Sequence, residues 1–247
     1  MYPILFEIGP IVVNSFGAMV AIAFLIANYL FTHELRRKQL PNADAVASTV
    51  TLLALGGGIL GAKLFHLAEN YRDMMADPAG QIFSGAGLTF YGGLLVAIAA
   101  IVYYARRKNI QFLVLADAAA PALILAYGIG RIGCQLAGDG DYGIPTDLPW
   151  GMAYPNGLVP TNEIVHPAPV YETLASVVAF LMLWLLRKKY SRIGDIFGLY
   201  LILAGIERLL VEFIRINPLY FGLSQAQWIS IAMIIFGAWL FNRPGRK

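Results

Sequence analysis

Arg131 and Arg208 each interrupt a long apolar run, where a cation is costly enough to imply a task. Arg131 sits in Gly130-Arg131-Ile132-Gly133-Cys134-Gln135-Leu136-Ala137, just ahead of a glycine-rich acidic loop carrying Asp139 and Asp141. Gly128, Gly130 and Gly133 thin the helix around it, which would let a headgroup approach and argues against simple snorkelling. Arg208 belongs to Glu207-Arg208-Leu209-Leu210-Val211-Glu212-Phe213-Ile214-Arg215, where Arg208, Glu212 and Arg215 recur at i, i+4 and i+7 on one helix face. Glu212 lowers the cost of burying one arginine but cannot neutralise three. An excess of guanidinium forks suits phosphate oxygens, which they grip bidentately. At membrane depth the available phosphate is a phospholipid headgroup. A ladder of salt bridges tying helices together is the structural alternative for the same residues.

Other chemistries find little support. His33, His66 and His166 lack partners at metal-ligand spacing, and no HExxH, GxSxG or P-loop run is present. No metal or other cofactor is therefore expected. The lone cysteine, Cys134, excludes an intramolecular disulfide and a cysteine-based metal cluster. It reads as a small residue packed beside Arg131, with a covalent role on the enzyme as the lesser alternative. His166, in His166-Pro167-Ala168-Pro169-Val170-Tyr171-Glu172, reads as an interfacial polar residue or a base.

The elements that must position these residues are membrane helices. The chain is 58% hydrophobic and only 13% charged, about half the charge of a soluble domain. Seven apolar spans are predicted, near 11–31, 45–67, 88–104, 112–136, 169–187, 193–216 and 225–241, of a length that crosses a bilayer. The connections after the first, third, fifth and seventh spans and the C-terminal tail hold thirteen of the eighteen Lys and Arg. The acidic residues Glu69, Asp73, Asp77, Asp139, Asp141, Asp147 and Glu163 fall after the others. By the positive-inside rule the N-terminus lies outside and the C-terminus in the cytoplasm. The fold class is thus an all-α polytopic membrane protein, one integral domain over 1–247 with an outer cap at about 138–168. The N-terminus lacks the positive region of a cleaved signal peptide. Gly57 and Gly61 form a GxxxG pair suited to close helix approach. Asp117, four residues before Pro121, could bond backbone groups or serve function.

In this order the motifs resemble the bacterial prolipoprotein diacylglyceryl transferases. Gly130-Arg131-Ile132-Gly133 begins the family signature. Ile8-Gly9-Pro10, Phe90-Tyr91-Gly92-Gly93-Leu94, His166-Pro167 with Tyr171-Glu172, and the Arg208–Arg215 run are also similar. Departures occur: Tyr91 stands for a family histidine, Cys134 for an asparagine, Phe16 for a tyrosine and Lys63 for a frequent arginine. Gln135 and Ala137 replace Phe and Asn, while Asp139 takes the acidic position.

The resemblance implies transfer of the diacylglyceryl group of phosphatidylglycerol to the lipobox cysteine of a preprolipoprotein, forming a thioether and releasing glycerol phosphate. It implies a multi-pass protein of the bacterial inner membrane whose partners are that lipid and the lipobox signal peptide, with no nucleic acid. Arg131 and Arg208 would hold and stabilise the phosphate, with Glu212 orienting Arg208 and Arg215 supporting the pair. Gly133 and Asp139 would complete the lipid site, and Tyr91 would be the catalytic residue in the histidine's place. A phenol, with a reference pKa near 10, needs nearby cations to act as base. The product phosphate, or a water held by Asp139, could take the proton instead. A non-catalytic lipid-binding or lipid-moving paralogue would keep the clamp and lose the base. A channel or transporter would want polar stripes along several spans, and here the polar intramembrane residues lie mostly on two.

Overall fold

The computed structural model describes residues 1–9, 11–83 and 89–243. Helices dominate, and their ends follow local chemistry. An antiparallel hairpin, β1 (Ile4–Ile8) and β2 (Ile11–Asn14), precedes α1 (Ser15–Arg37). Then come α2 (Ala43–Glu69), the short α3 (Tyr71–Ala76) and α4 (Pro78–Phe83), α5 (Phe90–Arg107) and α6 (Phe112–Ala137). A second hairpin, β3 (Met152–Tyr154) with β4 (Thr161–Val165), leads to α7 (Ala168–Leu186) and α8 (Asp195–Val211). The hairpin of β5 (Leu219–Tyr220) and β6 (Leu223–Ser224) joins α8 to α9 (Gln225–Asn242). Four of these helices, α1, α2, α6 and α7, are long and apolar enough to cross a membrane.

The predicted spans coincide with α1, α2, α5, α6, α7, α8 and α9, with shifted ends. Residues 11–14 are strand and not helix, and Ser15 starts α1 with its N–H on the Pro3 carbonyl at 2.9 Å. The expected start of the third span at Leu88 and the basic tail Arg246-Lys247 fall outside the described residues. The sixth span, expected to reach Ile216, stops as α-helix at Val211. A 3-10 turn, Glu212–Ile214, follows, and Arg215 is extended (φ −92°, ψ 153°). Asn217-Pro218 bars any helix from resuming, because a residue before proline is pushed out of helical geometry. The Asn217 side chain then donates to Glu212 Oε1 at 2.6 Å, holding the turn.

The chain forms two compact units, Leu35–Leu115 and the remainder (Met1–Glu34 with Ala116–Lys247). In the first, α2 and α5 pack through glycines. A Cβ on Gly57 would lie 3.1 Å from Ala97 Cα, and one on Gly61 only 2.6 Å from Val96 Cβ. The GxxxG pair is thus structural. In the other unit α8 and α9 meet backbone to backbone, since a Cβ on Gly198 would sit 2.9 Å from the Gly237 carbonyl. A core of Ala120, Ile124, Ala179, Leu183 and Ile196 joins α6, α7 and α8. Asp117 proves structural too: its carboxylate accepts from the N–H groups of Gly194 (2.7 Å) and Phe197 (2.9 Å), capping α8 from α6. At the opposite end of α7, buried Arg187 donates to buried Glu34 at 2.8 Å.

The segment 138–168, between α6 and the start of α7, folds back onto the end of α6 as a cap. Gly138 turns the chain at φ +59° at the end of α6, a left-handed conformation that favours glycine. Leu158 and Val159 pair with the carbonyls of Ala137 and Gly138. Tyr154 is buried, stacks on Tyr142 at 4.9 Å and donates to Gln135 Oε1 at 2.8 Å. Burial pushes its phenol up to about 12. Isolated bridges tie Gly143 to Arg215 and Pro145 to Val165, so the cap is fastened to the chain just beyond α8.

Candidate active site

Every residue of the polar cluster below belongs to the unit holding α6, α7 and α8. Glu172 is its hub. It lies in the first turns of α7, a stretch that Pro167 and Pro169 begin with preset backbone angles, and it is fully buried (0% exposed). Its Oε1 accepts from Tyr127 Oη at 2.5 Å and from Arg208 Nη1 at 3.1 Å. Its Oε2 pairs with Arg131 Nε at 3.1 Å and lies 3.9 Å from Arg215 Nη1. One carboxylate from α7 therefore meets arginines from α6, from α8 and from the extended residue after it. The helices approach closely enough because Gly128 has no side chain: a Cβ there would lie 2.8 Å from Ser176 Cβ. Thr173 Oγ1 also reaches across to the Gly128 carbonyl at 3.1 Å.

Two more carboxylates close the cluster. Glu212, buried, takes Arg208 Nη2 at 2.7 Å and is 3.9 Å from Arg215 Nε. Asp141, from the cap, bridges Arg131 Nη1 through Oδ2 and Arg215 Nη2 through Oδ1, the latter at 2.5 Å. Arg215 Nη1 also donates to the Asp141 carbonyl at 2.9 Å. Burial alone would raise the Asp141 carboxyl, but Arg131 and Arg215 outweigh it and hold it below the usual carboxylate range. Arg131 additionally lies over the Tyr127 ring, 5.0 Å from its centroid.

This corrects the expected excess of positive charge. Three arginines face three carboxylates, Glu172, Glu212 and Asp141, so the cluster is balanced as it stands. It also corrects the picture of glycines opening space around Arg131. Gly128 is filled by α7, and a Cβ on Gly133 would lie 3.1 Å from Met19 Cβ and 3.2 Å from Phe16 Cα on α1. Only Gly130 has open space.

Arg131, Arg208, Glu212 and Arg215 thus come together, as their spacing suggested. Arg215 does so from outside the helix, not as the next rung of one helical face. Asp139 sits at the edge, its Oδ1 accepting from the Asp141 N–H at 3.3 Å. Gly133 packs α6 against α1. Tyr91 stands in the first turn of α5, in the other unit, half exposed and edge-on to Phe90. Glu172, Asp141 and Tyr127 were missed as partners. Glu172 carries the same signal as Arg131, a charge beside a long apolar run.

Nearby, His166 Nδ1 lies 3.2 Å from Tyr171 Oη, which accepts from Trp150 Nε1 at 2.8 Å. Its backbone pairs with Gly143 and Ile144. Cys134, buried, lies 3.8 Å from Arg131 Nη1. Cys134, Asp139 and Asp141 bring ligand-type atoms within 4.8 Å of one another. Asp141 is already committed to two guanidinium groups there, and Arg131 beside the thiol would repel a metal cation. What the arrangement offers is a set of oriented guanidinium donors, which can stabilise charge on an oxyanion with little reorganisation.

The family model described as prolipoprotein diacylglyceryl transferase matches residues 3–243. Relatives named phosphatidylglycerol–prolipoprotein diacylglyceryl transferase include one from Clostridium tetani, 34% identical over 246 residues (98% of this chain, 97% of the relative). One from Aeromonas hydrophila is 36% identical over 258 residues, covering 98% of this chain and 91% of the relative. One from Polynucleobacter necessarius is 34% identical over 258 residues, covering 97% and 94%. Matched over nearly its whole length, with arginines and carboxylates gathered where α6, α7 and α8 meet, the chain belongs to the prolipoprotein diacylglyceryl transferase family.

Proposed function

We propose that this chain transfers the diacylglyceryl group of phosphatidylglycerol to the lipobox cysteine thiol of preprolipoproteins, in a bacterial inner membrane. The single observation carrying the site assignment is the convergence of Arg131, Arg208 and Arg215 on Glu172, Glu212 and Asp141. In this reading all seven long helices span the membrane, with the N-terminus outside. The cluster then faces the outer leaflet, beneath the cap.

The chemistry follows from charge. The acceptor sulfur forms a C–S bond to the glyceryl carbon, whose C–O bond to phosphate breaks. The electron pair leaves on the phosphate oxygen. A phosphodiester monoanion becomes a monoester carrying nearly two charges at neutral pH. Arg131 and Arg208 meet that developing charge, and Arg215 adds a third fork. Glu172 and Glu212 orient the forks. The thiol, with a reference pKa near 8.5, must lose its proton. Tyr91 is the residue assigned by resemblance, and a water held by Asp139 is the alternative for the same task. Gly133 serves the site by seating α6 on α1.

A second reading, a lipid-binding paralogue without catalysis, is favoured by one observation, the phenol of Tyr91 where the family has histidine. Expression in a host depleted of its own transferase separates the two. Rescue, with the mass and gel shift of diacylglyceryl-modified prolipoprotein, is expected from the natural chain. Arg131→Lys and Arg208→Ala should each abolish it, because lysine cannot make the bidentate contact. Unmodified prolipoprotein despite correct insertion of the natural chain would sink the transferase reading.

A further inference from the structure

We propose that Asp141 is a tethered anion that occupies the phosphate position and must be displaced by the lipid phosphate. This rests on the cluster being the phosphate site. Of the three carboxylates facing the arginines, Glu172 and Glu212 are sealed at 0% and 1% side-chain exposure, while Asp141 is 31% exposed. It is also the only one of the three that comes from the cap instead of a helix or its terminal turn.

Its geometry imitates a phosphate. Two oxygens of one anion each take a guanidinium, Oδ2 from Arg131 and Oδ1 from Arg215, so a single charge spans both forks. A phosphodiester, also a monoanion with paired oxygens, can take the same place with no change in net charge. The Asp141 backbone is held in part by one of the guanidinium groups the phosphate would engage, Arg215 Nη1 on its carbonyl at 2.9 Å. Gly140 precedes it at φ +92° and Gly138 turns at φ +59°, both in the region that favours glycine. Among the described residues, the Asp141 N–H is held by Asp139 Oδ1 alone, at 3.3 Å.

The exchange has a consequence after chemistry. The monoester product is more negative than the diester it came from. With Asp141 returning to Arg131 and Arg215, two anions compete for the same forks, and the soluble one leaves. Asp141 is thus a positioning residue for the arginines and a competitor for product, not a group that touches reacting atoms.

The test measures binding of glycerol phosphate and, separately, inorganic phosphate to the purified full chain in detergent, by calorimetry. In parallel KM and kcat are measured with phosphatidylglycerol vesicles. Asp141→Asn removes the charge and keeps the shape. The expected result is roughly tenfold tighter glycerol phosphate binding and a lower KM, with kcat reduced by slow release. Asp141→Glu, which keeps the charge, should stay within about threefold of the natural chain. If it does, and Asp141→Ser binds tighter like Asp141→Asn, loss of fold is not the cause. Weaker or unchanged binding in Asp141→Asn, with the natural chain still binding, would overturn this role and leave the phosphate site standing. Absence of binding to the natural chain and all variants would overturn the phosphate site itself. Tighter binding of inorganic phosphate but not of glycerol phosphate would also overturn it, since the displaced group is a phosphate ester.

Discussion

Glu172 decides how the arginines stand. Its carboxylate, with no solvent exposure, is held by hydrogen bonds from Tyr127 and Arg208 on Oε1 and by an ion pair with Arg131 on Oε2. Removing one partner of such a set leaves the others buried and uncompensated, which costs about 3–5 kcal/mol. Glu172→Gln keeps the volume but replaces one acceptor oxygen with an NH2 group that faces a guanidinium. We expect it to lower stability by about 3 kcal/mol and turnover by at least about a hundredfold. Thermal unfolding of the detergent-purified variant, beside its rate with phosphatidylglycerol, checks both. Normal stability and rate together would show that Glu172 is dispensable. At this scale the sequence was partly legible. Arg131, Arg208, Glu212 and Arg215 announced themselves as charges in apolar runs. Asp141 could not, because its pairing depends on how a thirty-residue cap folds back onto α6 and the exit of α8.

At the scale of elements, the long helices were legible because apolar length is a strong local signal. Helix ends were less so. The α-helix stops at Val211, and the local bond of Asn217 to Glu212 with Pro218 after it closes the turn, signals that apolarity alone hides. The hairpin at Ile4–Asn14 was hidden likewise, since a short apolar run reads equally as strand or buried helix. The glycine pair of α2 was read correctly, and its two neighbours give a controlled test. A Cβ on Gly61 would lie 2.6 Å from Val96 Cβ, whereas Gly56 and Gly58 have nothing within 4 Å. Gly61→Leu should therefore force α2 from α5 and cost about 1–3 kcal/mol. Gly56→Leu should change the melting temperature little, and equal melts for the two would contradict this packing.

For the molecule as a whole, the account joins two facts. Apolar helices place the chain in a membrane, and the polar cluster gathers at one end of the unit formed by α6, α7 and α8 beneath the cap. A lipid phosphate is the anion that a membrane supplies there, and the family's reaction is one that converts that phosphate into a more highly charged leaving group. The legible part of this picture was the presence of the arginines and their order along the chain. The hidden part was charge balance, which depends on three carboxylates from three separate elements meeting in space. The most direct measurement is the mass of a lipobox peptide incubated with the purified chain in phosphatidylglycerol vesicles. The account predicts the mass increase of one diacylglyceryl thioether, with glycerol phosphate released in equal amount, and neither product from Arg208→Ala. A peptide whose mass stays unchanged with the natural chain, while the protein is folded and inserted, would contradict it.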